Sequence, residues 1–542
     1  MQDQSAKTGL WKALPPAVRS AFVCCFAAGF LAHIFAFTNI IPNSDGVSRV
    51  FDAQQMTISG RWFLHYASMW NGFVQAPAVI GFFSLLFLSL AAALTASMLK
   101  LNSPLLGGLT GALMSVFPSV AYTFLYLFTA SAYCFGLLLA VLAVWLTQRY
   151  RFGFLFAAPL LACAVGTYQA YLAAAAALAL ICVIRFALEE GKRVREIFLT
   201  GLRQLGLLAL GLGLYWLILQ LFLKLKDLTL LNYKGIGSFG ESFSLGALPG
   251  MLASAYSDCF RYFFVPHSVC SYTTPVAAAA NGLLALVGLW GFVRLLRRGV
   301  FAKRPGALGL TLALFLLLPL ALDLTVLMDK PMPIMRYALV FAYVLALALA
   351  DLALAAPERP AERSRQKQRS PARRSAALRW AAVCAAALSL IVSFNVINLA
   401  YTVSAQAHRS TESFAARLVE RVESAPGYEQ GMQVIVIGGF PSRIYRNDVE
   451  AFALVEDYSN LSSSVMPLNK HVYYYLNDWL NVPWPEPDEK TMKAVSASAE
   501  FQAMPLYPSD GSVVVSDGRV IVKLASRYTP KQPYEIAYEN RR

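Results

Sequence analysis

About eleven apolar runs, most of them near the roughly twenty residues that cross a bilayer as a helix, leave this chain little freedom in how it folds. Inside hydrocarbon every backbone N–H and C=O must be paired within the chain, so such runs become helices. They fall at about 21–41, 77–98, 104–121, 127–147, 206–223, 276–296, 306–327, 337–355 and 380–401. A further block, 153–187, is too short for two full spans and is expected to form two short helices meeting at Gly166-Thr167-Tyr168-Gln169.

Of the residues, 57% are hydrophobic and only 14% charged, where a soluble chain carries about 25% charged. The net charge of +15 does not point to nucleic acid, because the Lys and Arg cluster in short loops, as cytoplasmic loops do. Lys7, Lys12 and Arg19 then hold the N-terminus (1–20) in the cytoplasm, and the first span lacks the small-residue cleavage site of a signal peptide. Spans three and four are expected to join outside near Ala121-Tyr122. The segment Glu189–Gln204 is expected to lie on the membrane as a short helix. The basic stretch within 356–379 reads as a disordered cytoplasmic linker inside the membrane domain, 21–401.

An odd number of spans puts 402–542 outside. This tail has soluble composition and is expected to be a small α/β domain. Glu412–Ser424 has helical periodicity, Met432–Phe440 reads as a buried strand, His471–Trp484 as a helix, and Ser512–Ala525 as a hairpin turning at Asp517-Gly518. Gly438-Gly439 lacks the G-x-G-x-x-G pattern and is read as a turn. Of the cysteines, Cys24, Cys25, Cys134, Cys163, Cys182 and Cys384 fall in spans as small apolar residues. Cys259 and Cys270 share an external loop and could pair in an oxidising compartment. No spacing resembles a zinc site.

The stretch Asn43–Gly72 is far longer than a connection between two spans needs. Asp45 can cap a helix over Val47–Gln55 or serve as a general base. On such a helix Asp52, two turns on, shares its face. Gly60-Arg61-Trp62 follows at a membrane–water boundary, either as an interfacial anchor or as a cation with an aromatic wall for substrate. Lys330 and Arg336 lie in an outer hairpin, where cations are scarce; they suit a phosphate, or pair with Asp323 or Asp329. Tyr168-Gln169-Ala170-Tyr171 offers sugar-binding hydrogen bonds and apolar ring faces, or satisfies helix ends. Asn232-Tyr233-Lys234 and His267, in the large external loop, could also touch substrate.

In this order, the acidic first loop, Gly60-Arg61-Trp62, Tyr168-Gln169-Ala170-Tyr171 and Arg336-Tyr337 resemble the bacterial glucosyltransferase II family, the serotype-converting enzymes that modify O-antigen and other envelope glycans. The resemblance covers roughly 20–400. It implies a polytopic GT-C type fold in the bacterial inner membrane and transfer of a hexose, glucose first, from a polyprenyl-phosphate donor to an envelope glycan on the extracytoplasmic side. It implies an essential acid in the first external loop, which maps onto Asp45 or Asp52. Arg61, Lys330 and Arg336 would meet the phosphate, while Trp62, Tyr168, Gln169 and Tyr337 would bind substrate. Direct displacement would invert the anomeric centre and requires neither metal nor cofactor. A donor-synthesising enzyme and a flippase are the implied partners besides the lipid bilayer. The competing readings are a lipid-linked glycan polymerase or ligase, a lipid-linked-sugar transporter, and a scaffold whose tail binds envelope polymer.

Overall fold

The computed structural model describes residues 10–47, 50–231, 246, 248–266, 273–327, 332–355, 371–441, 455 and 464–531. After a single helical turn at Leu10–Ala13 come α1 (Pro16–Thr38), the four-residue α2 (Leu64–Ala67), α3 (Pro77–Met98), α4 (Pro104–Ser115) and α5 (Pro118–Leu125). Then come α6 (Leu127–Arg149), α7 (Gly153–Thr167), α8 (Tyr171–Ala187), α9 (Val194–Leu225) and α10 (Leu248–Phe264). The last long ones are α11 (Pro275–Arg297), α12 (Pro305–Leu322), α13 (Val340–Ala355) and α14 (Pro371–Glu423). Among the described residues eight helices are long and apolar enough to cross a membrane, nine if α4 and α5, bent by 41°, form one broken span. This is a polytopic helical membrane protein. The expected eleven spans are reached only by adding α7 and α8, which are apolar but shorter.

Proline opens many of these helices, including α1, α3, α4, α11 and α12, because its missing N–H is an orphan there and its φ is preset. Glycine sets how closely they pack. A Cβ at Gly107 or Gly111 of α4 would lie 2.4 or 2.0 Å from the carbonyl oxygens of Ala17 and Ala21, so this small-xxx-small pair brings α4 against the backbone of α1. His33 of α1 joins three elements: Nε2–H donates to the Ser115 carbonyl (2.9 Å) at the end of α4, and Nδ1 accepts from Tyr401 OH (2.7 Å) on α14.

Several expectations are corrected. Described residues 50–55 carry no helix; instead Phe51 bridges to Val74, with Asp52 N donating to Phe73 O at 3.0 Å. Ala121 and Tyr122 lie inside α5, and the chain breaks at Val116-Phe117 and Tyr126. Val194–Gln204 is the beginning of the 32-residue α9, whose apolar stretch carries these residues along in one continuous helix. The basic stretch is outside the described residues through 370, but from Pro371 the chain is already in α14.

The 53-residue α14 runs from the bundle into the tail. There β1 (Gln433–Ile437) pairs in parallel with β3 (Arg519–Lys523), and β3 in antiparallel with β2 (Val513–Ser516). Asp517 (φ 48°) and Gly518 (φ 68°) form the hairpin turn. The His471–Trp484 segment is only partly helical: α15 (Asn469–Tyr474) passes into a π-helical turn, Tyr475–Trp479, and then extends. Val434–Ile437, Val520 and Val522 pack under Phe414, Leu418 and Val422 of α14, a second core apart from that of the bundle. Lys523 is buried there because its ammonium donates to the carbonyls of Phe501 (2.8 Å), Gln502 (3.0 Å) and Met504 (2.7 Å), ending α17 (Ala499–Ala503), which follows α16 (Glu489–Ala497).

Candidate active site

We call the end at which α1 starts the near end, and the end carrying loop 39–76 the far end. The far-end loop is fixed by three sets of contacts. In the first, Asn43 Oδ1 accepts from Gly46 N (2.7 Å), making a tight turn with Asp45 exposed at its tip. Asn43, rather than Asp45, caps that turn. Gln75 Nε2 donates to Gly46 O (3.0 Å), and Trp479 Nε1 of the tail donates to Val47 O (2.7 Å). The Val47 side chain is 0% exposed within the core of the tail. The tail therefore lies on the same side of the bundle as the loop and grips it one residue beyond Gly46.

In the second set, Asp52 Oδ1 accepts from Gln54 N (2.7 Å), and His65 Nδ1–H donates to Ala53 O (2.6 Å) while its ring stacks on Phe73. Gln54 adopts φ 56°, an uncommon conformation for a non-glycine residue. The two carboxylates are thus presented by a turn and an extended segment, not by one helical face.

The third set brings two sequence motifs together. Gly60 has φ 77°, and a Cβ there would sit 2.6 Å from both Gln169 Nε2 and Tyr215 OH. Gln169 Nε2 donates to Ser59 O (2.9 Å) and meets Tyr215 OH at 3.4 Å. Arg61 donates through Nε to Ser59 Oγ and through a terminal nitrogen to Tyr133 OH, both at 3.0 Å. Tyr133 stacks on Tyr168 at 4.5 Å. Trp62 is buried in parallel against Phe222 at 5.8 Å, over Gly166, where a Cβ would strike its ring at 2.6 Å. Phe63 N donates to Gly166 O (2.8 Å), so the loop is stitched into the break between α7 and α8. Arg61, Trp62, Tyr168 and Gln169 form one cradle.

Arg336 is held by other elements. It is 7% exposed and faces Asp323 (3.4 Å) after α12 and Asp258 (3.6 Å) on α10. Asp323 also accepts from Thr325. Tyr337 is buried and donates to Met114 O (3.0 Å). Cys259 donates to Pro319 O (3.6 Å). Lys330, Cys270, Asn232, Tyr233, Lys234, His267 and Asp329 lie outside the described residues. Among the described residues no three His, Cys, Asp or Glu side chains gather to hold a metal ion, so none is assigned that role.

Sequence reasoning missed Tyr133, Tyr215, His65 and Asp258. Tyr133 and Tyr215 are hydroxyls within apolar helices, a signal that was present but unspecific; His65 and Asp258 gain meaning only from neighbours distant in sequence. Three buried side-chain atoms of this loop, Asn43 Nδ2, Gln54 Oε1 and Trp62 Nε1, find no hydrogen-bond partner among the described residues.

Fold and cradle together define a polytopic helical membrane protein whose first far-end loop is built into its helix bundle. The chain belongs to the glucosyl transferase GtrII family, whose model matches residues 34–347. Membership implies glucosyltransferase activity. The match takes in the whole far-end loop, the cradle, Arg336 and Tyr337, and stops before α14 and the tail. No curated protein and no solved structure matches the chain.

Proposed function

We propose that this chain transfers glucose from a polyprenyl-phosphate-linked donor to an envelope glycan on the extracytoplasmic side of the bacterial inner membrane, with inversion. The observation that carries the reading is the convergence of Gly60-Arg61-Trp62 on Tyr168-Gln169 inside the segment shared with the family. A guanidinium among tyrosine hydroxyls, an amide and an indole suits a sugar phosphate at the end of a lipid. In this reading Arg61 meets the donor phosphate. Lys330 and Arg336 are further phosphate contacts, the latter only after yielding one of its carboxylate partners. Trp62, Tyr168 and Gln169 hold the sugar, with Tyr337 behind them.

An acceptor hydroxyl oxygen attacks the anomeric carbon as the bond from that carbon to the phosphate oxygen breaks. The hydroxyl proton passes to a carboxylate, and the electron pair leaves with the polyprenyl phosphate, already a stable anion. Asp45 is favoured as base over Asp52, because its carboxylate is exposed on a turn clamped from both sides. The Asp52 carboxylate already accepts a backbone amide. The cations stabilise charge gathering on the leaving oxygen.

The test is sugar transfer from polyprenyl-phosphate-glucose by the purified full chain, comparing wild type, Asp45→Asn and Asp52→Asn. Loss in one variant with donor still bound assigns the base. Full transfer by both variants removes both acids from the chemistry, and no transfer by wild type rejects this donor.

A further inference from the structure

The far-end loop does not stand above the bundle. Trp70, in the 3-10 turn Ser68–Asn71 that continues α2, packs its ring 5.7 Å from Phe83, 5.4 Å from Phe87 and 5.5 Å from Phe135. Phe83 and Phe87 lie in α3, which starts at Pro77, and Phe135 in α6, which starts at Leu127. At about 1.5 Å per residue these rings sit roughly 9, 15 and 12 Å below the far ends of their helices. Those helices have 22 and 23 residues, enough to cross a hydrocarbon core of about 30 Å, so their ends lie close to the interface. Helix α7 has only 15 residues, about 22 Å, and stops short of that level. The loop descends to meet it, as the bond from Phe63 N to Gly166 O records.

At this depth the loop still shows apolar surface. Trp70 is 44% exposed and Met69 and Tyr66 comparably so, and the patch continues onto the exposed faces of Val79 and Phe82 on α3. Its backbone is paired in the manner lipid demands: Ala67 N donates to Phe63 O, Gly72 N to Met69 O, and Ser68 Oγ to Leu64 O.

We infer that residues 63–71 form a re-entrant segment seated in the acyl-chain region of the far-side leaflet, with Tyr66, Met69 and Trp70 against bulk lipid chains. The occupant is bilayer lipid because the patch is continuous with the outward face of a spanning helix. This seat holds Arg61 beneath the headgroups, since its partner Tyr133 is itself about 9 Å below the end of α6. The inference stands apart from the sugar chemistry and survives if the proposed donor is wrong.

The experiment compares wild type with Trp70→Phe, as the full chain in phosphatidylcholine vesicles. The vesicles carry bromine at either a shallow or a deep position of the acyl chain. The emission lost in the variant is that of Trp70. It is expected to be quenched by the brominated chains, more by the deep position, and to be insensitive to iodide in the water. Quenching by iodide and not by bromine overturns the seat. Relief of bromine quenching by added polyprenyl phosphate overturns the choice of bulk lipid and gives the site to a donor chain. Should Trp70→Phe fail to fold, Met69→Trp adds a reporter one residue away, whose extra emission must follow the same pattern.

Discussion

The two ends of the bundle use polar groups in opposite ways. At the near end, charged side chains close the structure. Asp351 is buried on α13 and accepts from Asn102 N (2.8 Å), Asn102 Nδ2 (3.1 Å) and Ser103 N (2.9 Å), capping the start of α4. Arg185 of α8 donates to Leu99 O (3.0 Å) after α3, Arg298 after α11 to Ala353 O (2.8 Å) of α13, and Arg304 before α12 to Lys192 O (2.7 Å) before α9. At the far end the loop is held by glycine-allowed contact, hydroxyls and stacked rings. Buried polar atoms without a partner among the described residues occur at both ends, Arg19 Nε and Gln148 Oε1 at the near one and Asn43 Nδ2, Gln54 Oε1 and Trp62 Nε1 at the far one. The near end is clasped mainly by charge and the far-end loop mainly by close packing.

The contrast can be broken by substitution. The largest effect expected is on chemistry at the far end: Asp45→Asn should lower sugar transfer by about 10²–10⁴-fold, the usual worth of a general base, with the melting temperature unchanged. At the near end the pattern should reverse. Asp351→Ala removes a buried carboxylate from two backbone amides and one side-chain amide, and is expected to cost roughly 3 kcal/mol of stability, seen as a lower melting temperature. Transfer per folded molecule should stay at the wild-type level. A loss of transfer exceeding the loss of fold would erase the distinction between the ends.

Gly60→Ala sharpens the far-end side. Its Cβ would meet Gln169 and Tyr215 at 2.6 Å in a left-handed backbone, an overpacking of about 1–3 kcal/mol. The KM for donor should rise, because the cradle must open to accept the methyl group.

The smallest effect concerns the tail that grips the loop. Burial, with Lys470 nearby, pushes the His471 imidazole down to about 3 from an ordinary 6.5. Between these values the unfolded chain binds a proton that the folded tail refuses, so stability is lost as the pH falls below 6.5. The expected loss at about pH 5.5 is roughly 1 kcal/mol, and His471→Gln should flatten it in denaturation of the full chain followed at several pH values.

Much of this was legible in the order of residues. The short pair α7 and α8 followed from an apolar block too short for two spans, and the turn at Asp517-Gly518 from a residue pair that tolerates positive φ. The motifs around Arg61 and Gln169 were visible separately. Their meeting was not, because a glycine's need for space is set by neighbours more than a hundred residues away. The helix expected over Val47–Gln55 failed for a related reason: strand-like pairing with Phe73 and Val74, and burial of Val47 in the tail, outweighed local spacing. Asp258 emerged as a partner of Arg336 only when α10 packed beside α12.

By itself, then, the sequence determined that the chain crosses a membrane many times, where most helices start and stop, and which family it belongs to. These rest on local quantities, the free energy of burying apolar runs and the backbone demands of proline and glycine. Only the tertiary structure decided which polar groups hold the near end together, that the tail clasps the first loop, and which distant motifs that loop brings into contact. Those depend on which side chains arrive at the same few ångströms of space.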